Sequence, residues 1–232
     1  MNSNRAFFSK AFKNISFKGF MTLGIMVISL LLGGCEKKES GPNPHSSFHR
    51  YGIEKAHIHY EYSGNRRGSE DLYFTNYGAR EAIVARYEQL GERAIRSVDE
   101  LNIFRYGHMY NILPLTGTGI HVVDPALDSL YSIEGPAVPS TDTFFSNKMK
   151  GMSFRPVGTD TLAGRTATIW ELIQSPLRIW TWRGLLLKRF VNDPNNSYTM
   201  TAVSFDTTSA IDTNLFQPPK GVEIKDRRPK KY

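Results

Sequence analysis

The sequence predicts a mainly β domain of antiparallel strands with two short helices laid on the sheet, and three observations predict it. Within "KAHIHYEYSGNRRGS" the apolar Ala56, Ile58, Tyr60 and Tyr62 alternate with Lys55, His57, His59 and Glu61, the period of a half-buried strand. The same grammar returns in "VGTDTLAGRTATIWELI" and "LRIWTWRGLLLKRFVNDPNNSYTMTAVSF", where Gly164, Gly184 and Asp193-Pro194-Asn195-Asn196 punctuate short β-favouring runs. Two segments carry capped helical spacing instead, and both are too short to be stable without a sheet beneath them.

The chain opens on a segment addressed for removal. Residues 1–34 place Arg5, Lys10, Lys13 and Lys18, with no acidic residue, ahead of an apolar run that ends at Cys35, the only cysteine of 232 residues. That is the basic, then apolar, order of a secretory signal. The run is too short to span a bilayer, which takes about twenty apolar residues. "LGGC", Leu32 to Cys35, resembles the bacterial lipobox, an aliphatic residue and two small ones before the cysteine that is diacylated and becomes the mature N-terminus. The resemblance implies an acyl anchor at Cys35 and attachment to a membrane. Glu36 after the cysteine resembles the outer-membrane sorting class. An ordinary signal peptide beside a free thiol is the competing reading, and it explains the lone cysteine less well, because free thiols are uncommon in exported chains.

The formal charge of +7 shrinks once the signal is set aside, leaving 25 basic against 22 acidic side chains. The tail "KDRRPKKY", residues 225–232, carries +4 by itself, so the body sums to −1 and is nearly neutral. Nucleic-acid binders carry basic charge as a patch on the folded domain, and no nucleic-acid function is expected. Residues 35–50, the lipidated cysteine followed by a Lys-, Ser-, Pro- and Gly-rich stretch, read as a flexible tether. Residues 51–224 are then one domain, long enough for a full core and without internal disulfides.

Along that domain, the first strand is followed by a turn at Gly64, Asn65 and Gly68, a strand over Leu72 to Asn76, a Tyr77-Gly78 turn, and a third strand over Ala79 to Tyr87. "YEQLGERAIRSVDELNIF" fits strand, helix or both. "VDPALDSLYSIEG" has Asp124 as N-cap and Pro125 at the first helical position, with Leu127, Leu130 and Tyr131 on one stripe. "STDTFFSNKMKGM" has a Ser or Thr cap, Asp142 in its first turn, Lys148 and Lys150 near its end, and Gly151 as a stop. Its stripe is Phe144, Phe145 and Met149.

This order of elements resembles the LolA/LolB-type lipoprotein carriers and their envelope relatives. "IWTWRGLLLKR" (Ile179 to Arg189), "IDTNLFQPPKGVEI" (Ile211 to Ile224, with Phe216, Pro219, Gly221 and Val222) and "SEDLYFTNYGAREA" (Ser69 to Ala82) carry the resemblance. It implies a single antiparallel, strongly curved sheet forming an unclosed half β-barrel, covered by short helices over an apolar cavity. It further implies a lipid or other hydrophobic ligand and an envelope protein as a possible partner. Soluble carriers lack an anchor, whereas Cys35 matches the membrane-tethered receptor members.

Catalytic readings find little support. His57 and His59 share one strand face, a spacing metal sites use, with His121 as a conceivable third ligand, but that face is the polar one and no Cys or acidic cluster accompanies it. There is no Gly-x-Ser-x-Gly elbow, and "TGTG" (Thr116 to Gly119) lacks the Gly-Lys-Ser/Thr of a phosphate loop. Glu70 and Asp71 point to opposite faces of a strand, a poor acid/base pair. No catalytic residue, metal or cofactor is expected. Trp180 and Trp182, at i and i+2, share a face, and Trp170 sits on a neighbouring strand. Together with Ile58, Tyr60, Phe144, Phe145 and Met149 they are the candidate ligand-binding set. Two functions follow: a lipid- or hydrophobe-binding envelope lipoprotein, or a non-enzymatic structural or interaction module whose core those same side chains fill.

Overall fold

The computed structural model describes residues 47–91, 94–132, 140–194 and 196–227, so the signal segment, Cys35 and most of the tether lie outside the described residues. Twelve strands form one sheet: β1 (Ala56–Gly64), β2 (Arg66–Thr75), β3 (Arg80–Leu90), β4 (Ile95–Arg105), β5 (His108–Leu113), β6 (Thr118–Val123), β7 (Phe154–Leu162), β8 (Arg165–Leu172), β9 (Leu177–Trp182), β10 (Leu185–Asp193), β11 (Asn196–Asp206) and β12 (Glu223–Asp226). Their order is β12-β6-β5-β4-β3-β2-β1-β11-β10-β9-β8-β7. Two meanders therefore run outward from the long-range pairing of β1 with β11, and the edge strands β12 and β7 do not pair, so the barrel is unclosed. The sheet departs from full antiparallelism in one place, the parallel pairing of β12 with β6.

The ambiguous segment resolves as two strands. β3 runs on to Leu90 and β4 returns in continuous register from Leu90↔Ile95 to Arg80↔Arg105. The register places Ala56, Phe74, Glu81 and Phe104 in one row across four strands. Gly68, read as part of the first turn, lies inside β2 and keeps its ladder partners Tyr62 and Tyr87. Register shifts interrupt β1–β11 at His59/Tyr60 and β10–β9 at Leu186/Lys188. Such bulges bend a strand and increase its twist, which is how a wide sheet curls. Beside the second bulge the Tyr60 hydroxyl donates to the Leu186 carbonyl (2.8 Å).

Both helices form where the caps place them. α1 (Pro125–Ser132) starts at Asp124, whose carboxylate accepts from the amides of Ala126 and Leu127 at 3.0 and 3.1 Å. α2 (Thr141–Gly151) starts at Ser140, whose hydroxyl accepts from the Thr143 amide, and runs through Gly151 before its cap at Met152. The closing segment is more than a strand. Its turn Thr213–Phe216 packs on β3 and β4 and buries Phe216, and β12 then adds to the sheet edge.

The tether ends earlier than the composition suggests. Phe48 is 1% exposed and packs edge-on against Tyr131 of α1 (5.0 Å) and Phe144 of α2 (4.8 Å). Residues 47–55 are a strap that covers one face of the sheet. Composition conceals it, because two aromatic residues among polar ones give no periodicity.

Candidate functional site

The face carrying Ile58, Tyr60, Leu72 and Phe74 is the covered one, and charge is buried under its cover. Glu81 of β3 occupies a position of apolar parity, between Ala79 and Ile83. Arg50 of the strap lays its guanidinium 4.0 Å over the Phe104 ring and donates to Glu81 (3.1 Å) and to the Gly78 carbonyl (3.1 Å). The Tyr51 hydroxyl donates to the same Glu81 oxygen. Burial opposes the Arg50 charge, but Glu81 beside it holds the guanidinium above its ordinary value. The strap is thus fastened to the sheet by an ion pair with three hydrogen bonds around it.

α2 brings a second cation to that cluster. Burial, with Arg50 nearby, pushes the Lys148 ammonium down to about 8 from the usual 10.5, against the pull of Asp124 and Glu81. Below pH 8 both folded and unfolded chains carry this proton, and the native state bears the penalty. Between pH 8 and 10.5 the folded lysine has lost its proton while the unfolded one retains it, so the unfolded state binds more protons and stability rises with pH. Discounted for partial exposure, the gain is about 1–2 kcal/mol. Lys148→Met is therefore expected to stabilise the protein at neutral pH by about that amount and to abolish the alkaline rise. Urea melts of both proteins at pH 7 and 10 check it, and an equal pH dependence in the variant would contradict it.

Four of the eight candidate ligand-binding residues share one cluster: Ile58, Tyr60 and Trp180 are buried in it, and Trp182 packs against it. Ile58, Tyr60 and Met149 are at most 1% exposed. The register pairs Ile169 with Trp180 and Trp170 with Ile179, so Trp170 leaves the sheet on the face opposite Trp180. On its side the Trp170 indole donates to Thr181 (2.9 Å) and meets Phe145 of α2 edge-on at 6.2 Å. On the other side the Trp180 indole donates to Asp160 (3.1 Å) and lies under the Lys188 ammonium (4.8 Å). Trp182 contacts Phe205 and Arg165. Phe144 joins Phe48 and the α1 cluster. Among these tryptophans α2 reaches Trp170, through Phe145. Side chains paired across β8 and β9 share a face, so a one-residue difference in this register would reverse the face of every side chain on the strand.

His57 and His59 also have an assigned place. Ring nitrogens of both lie 2.8 Å from one oxygen of Asp71 on β2, and His57 stacks on Tyr73 at 4.3 Å. His121 is elsewhere, 3.1 Å from His108 and 3.4 Å from Asp226. Among the described residues no group of three His, Cys, Asp or Glu is placed to hold a metal. Glu70 and Asp71 do point oppositely: Glu70 accepts from the Tyr62 hydroxyl (2.7 Å), and burial raises its carboxyl. A groove of about 310 Å³ lies where Arg67, Arg86, Tyr87, Glu88, Ser97, Val98 and Asp99 meet. No helix among the described residues is long and apolar enough to cross a membrane.

No protein-family model matches the chain, and no curated protein matches it. Solved structures similar to it include an uncharacterized conserved protein from Thermus thermophilus, at 13% identity over 75% of this chain and 91% of that one, TM-score 0.43. LprF from Mycobacterium bovis is similar at 13% identity over 71% of this chain and 90% of that one, TM-score 0.32. The Pseudomonas aeruginosa MucA/MucB complex contains a chain similar at 14% identity over 74% of this one, TM-score 0.36, and the match spans 58% of that chain.

Proposed function

We propose that this is an envelope lipoprotein, held to the outer membrane through acylated Cys35, whose half-barrel is a non-enzymatic interaction module with a filled core. What supports the filled core is the placement of the candidate set: Ile58, Tyr60 and Met149 are sealed, and Trp170 and Trp180 stand on opposite faces of the sheet. The anchor rests on the basic, apolar and small-residue order ending at Cys35.

Two measurements on the full-length protein, extracted from membranes in a nonionic detergent, test it. Intact mass is expected to show a chain beginning at an acylated Cys35, and an uncleaved or unacylated mass would remove the anchor. Titration with a brominated fatty acid is expected to leave tryptophan fluorescence unquenched. Saturable quenching, with stoichiometric lipid in an organic extract beyond the Cys35 acyl chains, would instead establish the second reading, a hydrophobic ligand held beneath the helices.

A further inference from the structure

Arg66, the first residue of β2, is 7% exposed and stands on the covered face, yet its Nε and Nη1 are buried without a hydrogen-bond partner. Its guanidinium makes no ion pair with any described residue. What surrounds it is aromatic: the rings of Tyr198, Tyr87 and Tyr62 have their centroids 3.9, 4.9 and 6.0 Å from the guanidinium carbon. Ring faces attract the cation, but they are weak acceptors for its N–H groups beside a carboxylate or phosphate oxygen. Two buried donors are left over, and a buried donor without an acceptor costs about 1–3 kcal/mol.

The sequence spends a special residue on this cage. Gly68 faces Tyr62 on one strand and Tyr87 on the other, and a Cβ there would meet the Arg86 carbonyl at 2.3 Å and the Tyr87 Cα at 2.7 Å. Its φ of +133° is a conformation that side chains rarely adopt. With no side chain between them, the Tyr62 and Tyr87 rings approach to 4.9 Å and wall the guanidinium.

Charge near the cage leans positive. Arg189 lies on the same face through the register Tyr62↔Met200↔Arg189, and its charge, like that of Arg66, acts on Glu70. Glu70 is engaged by the Tyr62 hydroxyl, and Glu100 is balanced first by Arg96. A planar fork with unused donors, walled by tyrosines and backed by a second arginine, matches the geometry of a carboxylate or phosphate.

We propose that Arg66, within the Tyr62–Tyr87–Tyr198 cage, is a binding site for an oxyanion, a carboxylate or a phosphate group. The site is independent of whether the core elsewhere is filled. Full-length protein labelled with ¹⁵N-arginine, in nonionic detergent, is titrated separately with inorganic phosphate, acetate and chloride while the arginine Nε–H signals are followed. One of those signals, assigned to Arg66 by its loss in Arg66→Lys, is expected to shift saturably with phosphate or acetate and not with chloride. Saturation by phosphate alone points to a phosphate ligand, and saturation by acetate alone to a carboxylate. Arg66→Met is expected to weaken the binding at least tenfold, read from the anion-dependent rise in melting temperature. No saturable shift in the wild-type protein, or the same shift with chloride, means that water alone satisfies Arg66 and overturns the proposal. The wild-type titration decides the matter even if Arg66→Met does not fold.

Discussion

Glu81→Ala is expected to destabilise the protein by about 3–5 kcal/mol, the range for removing one partner of a buried ion pair. The side chains of Arg50 and Glu81 are only 15% and 9% exposed, and Glu81 accepts from both Arg50 and Tyr51. Removing the carboxylate leaves the guanidinium over the Phe104 ring with only neutral acceptors, the Gly78 carbonyl and the Tyr51 hydroxyl, and Lys148 nearby repels it. For a domain of this size the loss corresponds to a fall in melting temperature of about 10 °C. Thermal melts at pH 7 measure it.

The double variant Arg50→Met/Glu81→Leu separates a missing partner from a missing contact. Buried pairs replaced together by apolar side chains of similar volume are often neutral or stabilising. The double variant is therefore expected to recover most of the loss seen with Glu81→Ala. It also tests the strap. If Arg50 fastens residues 47–55 to the sheet mainly by charge, amides of the strap exchange faster in the double variant even though global stability returns. A double variant as unstable as Glu81→Ala would show that the Arg50 stem and its contact with Phe104, rather than the unpaired charge, carry the effect.

Much of this fold could be read from alternation and caps. The strand at Ala56 to Tyr62, the Asp124 cap with Pro125 behind it, and the stripe of α2 are local patterns, and local patterns survive into the structure. What the sequence did not disclose depends on which strand lies beside which. The face of Trp170 follows from its pairing with Ile179, a relation set by the β8–β9 turn and by the register it imposes. The parallel docking of β12 on β6 joins segments about a hundred residues apart and leaves no periodic trace. The buried charges did leave a signal. In "AREAIVARY" Glu81 shares parity with Ala79, Ile83, Ala85 and Tyr87, and in "RRGSEDLYF" Arg66 and Glu70 share parity with Leu72 and Phe74. A charge on the apolar parity of a strand marks a residue that must find a buried partner. Glu81 and Glu70 have hydrogen-bonded partners, whereas the Nε and Nη1 of Arg66 have none.

Trp170→Ala is expected to cost about 3–5 kcal/mol, and Trp182→Ala about 1–2 kcal/mol, because the two rings do different work on opposite faces. Trp170 is 7% exposed, fixed by its indole on Thr181 and covered by Phe145, so truncation opens a cavity beneath α2 and strands the Thr181 hydroxyl. Trp182 is half-buried, and Phe205 and Arg165 can settle toward the space it leaves. Trp170→Phe keeps an aromatic ring but loses the indole donor and the fused pyrrole portion, so an intermediate loss of about 1–3 kcal/mol is expected from it. Urea melts of the three variants give the ordering, and fatty-acid titration of each adds what stability cannot. In a filled core, Trp170→Ala creates an apolar void that was not there, so the variant gains affinity for a small hydrophobe while the wild-type protein has none. At the wall of a working cavity the order inverts: the wild-type protein binds, Trp170→Ala binds less, and its loss of stability falls below about 1 kcal/mol because the void already existed.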